Sequence, residues 1–130
     1  MSEKTLWQWL KTQTDKRGWH TVRVEDVLNV GTPDVNYAAP SGMEGWVELK
    51  YAERFPPSGK PTFSLSHQHN LSPQQELFLT RRAACQSCSG ILAQIGKERF
   101  FIPASYASEF NSFTEEQFRS TNILEQWLDE

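Results

Sequence analysis

Apolar residues along this chain change period several times, and each change marks a new element. Over residues 4–13, Leu6, Trp7 and Leu10 recur at helical spacing with Trp9 on a neighbouring face, which predicts a helix. Ser2 stands where an N-cap belongs and Gly18 where a helix stops. Residues 20–28 alternate instead, with Val22 and Val24 on one side and Arg23 and Glu25 on the other, the pattern of a strand. Gly31-Thr32-Pro33 reads as a turn or bulge, 34–38 as a short second strand, and Pro40-Ser41-Gly42 as a hairpin turn. Residues 45–51 form a third strand, in which Trp46, Glu48 and Lys50 share one face and Val47 and Leu49 the other.

The stretch 53–70 breaks the pattern with Pro56, Pro57, Gly59, Pro61, His67, His69 and Asn70. It predicts a long loop, and such loops are usually functional or mobile. A second helix follows, with Ser72 as cap, Pro73 at its first position and Glu76 as the capping-box partner, running to about Cys85. Two strands, 90–95 and 99–102, are joined by Gly96-Lys97-Glu98, and a short helix lies near 104–110. Thr114-x-x-Gln117 starts a last amphipathic helix, with Phe118, Ile123, Leu124, Trp127 and Leu128 as its apolar positions. The order αβββαββαα, with no internal repeat, predicts one α/β domain over residues 1–130.

Composition narrows the class. A chain of 130 residues, 38% hydrophobic and 22% charged, can build a core without disulfide staples. No apolar run approaches the length that spans a bilayer, which predicts no membrane partner. The segment MSEKTLWQWLKTQTDK is too polar to be a signal peptide. Cys85 and Cys88 make no disulfide framework, so the expected compartment is a reducing cytoplasm. The net charge of −3 weakly opposes a nucleic-acid partner, but it averages over the surface. A local basic track can coexist with an acidic total, and Arg54, Lys60, Arg81 and Arg82 are available for one.

The chemistry concentrates in GTPDVNYAAPSGMEGWVELKY, residues 31–51. Glu48 and Lys50 project from one face of the third strand, and the hairpin brings Asp34 to the end of that face. Two carboxylates taken out of water together are costly unless a cation joins them. Mg²⁺ takes hard oxygen ligands and keeps waters, so Asp34, Glu48 and the backbone carbonyl of Leu49 suit it. Lys50 can then orient a nucleophile or neutralise charge on a phosphate. Taken alone, a Glu-x-Lys on a strand is more often a solvated face. The combination of Gly-x-Pro-Asp, a hairpin and Trp-Val-Glu-Leu-Lys is more specific.

In that combination the chain resembles the PD-(D/E)XK nuclease superfamily. It is most similar to the small stand-alone virus-type replication-repair nucleases (VRR-NUC), often phage-encoded and related to archaeal Holliday junction resolvases. The likeness rests on Gly31-Thr32-Pro33-Asp34-Val35, Gly45-Trp46-Val47-Glu48-Leu49-Lys50 and Leu71-Ser72-Pro73-Gln74-Gln75, in order over residues 3–102. It implies a restriction-endonuclease-like core, a mixed sheet of about five strands flanked by helices in the order αβββαβ, with extra C-terminal helices over 104–128. It implies Asp34 and Glu48 as metal ligands, Lys50 as the catalytic lysine and Gln75, rather than Gln74, as the helix glutamine, with Phe78 where a tryptophan is common. By the same resemblance Glu3 would complete the metal site through water, and Arg23 and Glu25 would sit in a polar strand motif near DNA. The implied activity is Mg²⁺- or Mn²⁺-dependent endonucleolytic cleavage of DNA, branched or junction DNA in particular. A homodimer acting in phage or bacterial DNA replication, recombination or repair is the implied setting.

Other readings stand beside this one. They are a non-catalytic nucleic-acid-binding module on the same fold, a monomeric nickase, a flap nuclease, and an RNA-cleaving enzyme using the same chemistry. His67, His69, Cys85 and Cys88 have the types for a four-ligand zinc site, but loop histidines and reduced cysteines near a helix end are the commoner case, so zinc is not expected. Trp7, Trp9, Trp19 and Trp127 read most simply as core.

Overall fold

A computed structural model describes residues 2–25, 29–57 and 59–129. Its elements are α1 (Glu3–Lys16), β1 (His20–Arg23), β2 (Val35–Ala38), β3 (Glu44–Ala52), α2 (Pro73–Ala84), β4 (Gly90–Ile95) and β5 (Glu98–Pro103), followed by a 3₁₀ segment (Ala104–Ser112), α3 (Glu115–Thr121) and α4 (Leu124–Leu128). The strands form one mixed sheet in sequence order, β1-β2-β3-β4-β5. The first three are an antiparallel meander, β3 and β4 run parallel, and β4 and β5 are antiparallel. A parallel pair needs a long crossover, and the loop 53–70 with α2 supplies it. Because β4 has a neighbour on each side and is covered on both faces, all six of its residues are buried. Among the described residues no helix is long and apolar enough to cross a membrane.

The expected elements are present, with four differences that have physical reasons. Helix α1 runs longer than 4–13; Ser2 Oγ accepts from Thr5 N at 3.2 Å, and Gly18 ends the run at φ +73°. Strand β1 ends at Arg23, although Val24 N still donates to Asp34 O at 2.7 Å; residues 26–28 lie outside the described part. On this edge strand Thr21 is the buried residue and Val22 is exposed. The capping-box partner of Ser72 is Gln75, not Glu76: Gln75 is the third helical residue, and its side chain reaches back to Ser72 N. Finally, the C-terminal helix is broken in two at Asn122, whose backbone is extended.

The break follows from where the core lies. One apolar cluster lies on the face covered by α2, the 3₁₀ segment and α3, and contains Leu79, Phe63, Phe110, Phe113 and Phe118. The other lies on the opposite face under α1 and α4, and contains Leu6, Leu10, Trp19, Tyr37, Phe101 and Trp127. Phe118 belongs to the first cluster, Trp127 and Leu128 to the second. One straight helix cannot reach both faces of a sheet, so the chain turns at Asn122. The Asn122 carbonyl oxygen Oδ1 accepts from Phe101 N at 2.8 Å and from Leu124 N at 3.0 Å, which satisfies both the sheet edge and the new helix start. Trp19 and Trp127 are buried as expected, whereas Trp7 and Trp9 are only partly buried against the same cluster.

Candidate functional site

The site forms where β2 stops pairing with β3. Val35 pairs with Val47, and that register carried one step further sets Asp34 across from Glu48, and two steps further Pro33 across from Leu49. Proline has no N–H to give, so it offers no donor to the Leu49 carbonyl across from it. On the Leu49 N–H the Asp34 side chain stands in for a strand carbonyl: its Oδ2 accepts from Leu49 N at 2.8 Å. The N–H and C=O of one strand residue point to the same side, so the Leu49 carbonyl opens toward the same gap. Gly31, just before this break, packs closely against the start of α2. It sits at φ +99°, and a Cβ there would lie 2.7 Å from the Gln74 carbonyl group.

Glu48 and Lys50 lie on the sheet face that α2 covers, and they are not a solvated pair. Their side chains are 3% and 9% exposed, with Nζ 3.3 Å from Glu48 Oε2. Lys50 Nζ also donates to Asn70 O at 2.9 Å and to Gln75 Oε1 at 3.0 Å, so all three of its donors are used. Gln75 holds both partners, since its Nε2 donates to Glu48 Oε2 at 2.9 Å. The same Gln75 Oε1 accepts from Ser72 N at 3.0 Å, so one amide both caps α2 and clamps the acid–lysine pair. The role of Asn70 was not legible in the sequence, because it acts through a backbone carbonyl.

Burial pushes the Glu48 carboxyl up to about 8, and the neighbouring Asp34 pushes the same way against Lys50. The Asp34 carboxyl is also raised, by burial first, with the Leu49 N–H opposing and Glu3 adding to the rise. Glu3 therefore lies within electrostatic reach of both acids; it sits in the first turn of α1 and is held by Arg23 at 3.1 Å. Among the described residues, no three His, Cys, Asp or Glu side chains converge into a ready metal cage. Two carboxylates, a strand carbonyl and solvent could still hold an octahedral cation. One observation fits that donor set: Glu48 Oε1 is buried and has no hydrogen-bond partner.

The other candidates are distributed more widely. Glu25 lies beyond the end of β1. Arg54 and Lys60 line a cavity of about 670 Å³ past the C-terminal end of β3, together with His67 and His69. Arg81 and Arg82 line another, of about 620 Å³, with Gln74 and Cys85. There Arg82 lies 5.9 Å from the Trp46 ring and 5.1 Å from that of Phe78, and the two rings meet edge to face. The histidines and Cys85 thus line different cavities, and Cys85 and Cys88 are free and exposed, so the four-ligand zinc arrangement is not assembled.

No protein-family model matches the sequence, and no curated protein matches it. Solved structures do match. A Holliday junction resolvase (Hjc) of the archaeal hyperthermophile Archaeoglobus fulgidus superposes with a TM-score of 0.68 at 14% identity, covering 96% of this chain and 98% of that one. A VRR_NUC domain superposes with a TM-score of 0.53 at 18% identity, covering 73% of this chain and 86% of that one. At these identities the likeness is one of fold: the chain shares its fold with the Holliday junction resolvase and with the VRR_NUC domain.

Proposed function

We propose that this protein is a divalent-metal-dependent endonuclease that hydrolyses DNA phosphodiester bonds and selects branched DNA. The observation that carries the reading is the buried Glu48–Gln75–Lys50 cluster facing Asp34 across the end of β2, with Glu48 Oε1 left unpartnered. A structural ion pair would be satisfied on all sides; this one keeps an acceptor free beside a second carboxylate.

Mg²⁺ or Mn²⁺ would be held by Asp34, Glu48 and the Leu49 carbonyl, with Glu3 reaching it through water. When bound, the ion supplies positive charge against phosphate oxygens and makes water easier to deprotonate. Lys50 presents a fixed ammonium to the same gap. Its contact to Glu48, at 3.3 Å, is the longest of its three and the one a phosphate oxygen would replace. Gln75 keeps Lys50 and Glu48 in register, so both side chains are in position before substrate arrives. Arg23, Arg54, Lys60, Arg81 and Arg82 are the candidate contacts to the phosphate backbone. Paired cuts across a four-way junction need two sites, which makes a homodimer part of this reading, in a role in DNA replication, recombination or repair.

The test is cleavage of a labelled panel of four-way junction, flap, single strand, linear duplex and supercoiled plasmid, with Mg²⁺, Mn²⁺ or EDTA. Cutting is expected only with metal, strongest on a branched substrate, and absent in Glu48→Ala. Cutting by Glu48→Ala at the wild-type rate would remove the proposed site. Folded, metal-binding protein that cuts nothing would favour a binding module.

A further inference from the structure

The cavity past the end of β3 is built more firmly than its loop sequence suggests. His67 N donates to Ser64 O at 2.8 Å, and Asn70 Nδ2 donates to Ser64 O and Leu65 O at 3.0 Å each. Phe63, fully buried, anchors one end and meets the His67 ring edge to face at 5.2 Å. At the other end Asn111 exchanges two hydrogen bonds with the Leu71 backbone, each 2.8 Å. His69 N donates to His67 Nδ1 at 3.0 Å. Nδ1 is therefore the acceptor nitrogen, and the His67 proton sits on Nε2, a fixed donor. The loop also touches the candidate active site directly, because Lys50 Nζ donates to Asn70 O.

The lining has mixed chemistry. Arg54 and Lys60 bring two positive charges and Glu53 one negative charge. Tyr51 and Pro61 provide flat apolar surface. Thr62 lines the same cavity, with its hydroxyl buried beneath the surface. The volume, about 670 Å³, lies in the range of pockets that take small organic ligands.

Resting on the nuclease reading, we propose that this cavity is a subsite for an unpaired nucleotide next to the phosphodiester to be cut. Arg54, Lys60 and His67 Nε2 take its phosphate, while its base lies against Tyr51, Pro61 and the imidazoles. A base inside a duplex is stacked and cannot enter such a pocket without leaving the helix. The subsite therefore gives a physical basis for preferring junctions and flaps, where unpaired nucleotides lie beside the cut.

The experiment is a titration of the full chain in EDTA, following the imidazole NMR signals of His67 and His69. Tetrathymidylate is expected to shift both signals saturably. A blunt hairpin duplex or inorganic phosphate at the same concentration should leave them nearly unmoved. Arg54→Ala and Lys60→Ala, both at exposed positions, should each weaken strand binding about tenfold. Equal shifts from phosphate would reduce the cavity to a simple anion site, and equal shifts from duplex would make it a backbone groove; either result overturns the proposal. So would unchanged affinity in both variants. Metal-dependent cleavage without strand binding here would sink the subsite and leave the nuclease reading standing, whereas strand binding at the imidazoles in a protein that cuts nothing would do the reverse.

Discussion

Pro33 and Asp34 act at the same break in the sheet in different ways. Proline offers no N–H to the ladder, and the aspartate side chain stands in for a strand carbonyl on the Leu49 N–H. Glu48 is the residue most out of balance. Its carboxyl titrates near 8, above its ordinary 4.5, so the folded state holds this proton more tightly than the unfolded chain does. The stabilisation from that tighter proton is complete below about 4.5 and is lost as pH rises through about 8. Metal-free protein should accordingly melt several degrees lower at about pH 8.5 than at about pH 5.5. Mg²⁺ should restore the loss at the higher pH, and Glu48→Gln should flatten both effects. Calorimetry in EDTA and in Mg²⁺ checks this; a pH slope that survives Glu48→Gln belongs to some other group.

At the scale of elements, α2 joins helix capping to the candidate site. Its capping box uses Ser72 and Gln75, and Gln75 is also the clamp on Glu48 and Lys50. The two roles can be separated. Ser72→Ala removes the hydroxyl cap but keeps the backbone N–H that holds Gln75 Oε1, so it should cost about 1 kcal/mol of stability and little cleavage. Gln75→Ala leaves Lys50 and Glu48 without their bridge and should lower the cleavage rate on the order of a hundredfold. Urea melts and single-turnover cleavage of both variants distinguish them. Equal rate losses would mean that helix capping, not the clamp, sets the rate. The loop 53–70 shows what sequence hides at this scale. Its prolines and polar residues correctly predict no regular element, yet its inward hydrogen bonds make a compact wall.

For the whole molecule, the decisive feature is that the segment from α3 to α4 serves both faces of one sheet. Asn122 permits this by turning the chain while capping α4 and pairing with Phe101. Asn122→Ala would leave the buried Phe101 N–H without its acceptor, at a cost of about 1–3 kcal/mol. Chemical denaturation should show that loss, with metal-dependent cleavage retained per folded molecule. Cleavage lost in step with a purely local change at β5 would instead connect this corner to the site. The apolar positions Phe118, Ile123, Leu124, Trp127 and Leu128 were all visible in the sequence as one helical stripe. Helical periodicity records which residues are buried, but not that four of them belong under one face and Phe118 under the other.

What the sequence determined by itself is local or short in range. Period-2 and period-3.6 patterning set the order of strands and helices, and Ser2, Gly18 and Ser72 set helix ends through their own side chains or backbone freedom. Alternation along β3 put Glu48 and Lys50 on one face, and the hairpin put Asp34 beside them. What only the tertiary structure decided depends on contacts between distant segments. The parallel neighbour β4 and the covering helix α2 bury Glu48 and Lys50, turning an ordinary strand pair into a charged cluster with a shifted proton and an unpartnered oxygen. Likewise Asn70 reaches Lys50, and Asn122 reaches Phe101, through atoms that every residue or every asparagine carries. Their meaning comes from position in space, because desolvation and hydrogen bonding depend on which neighbours exclude water.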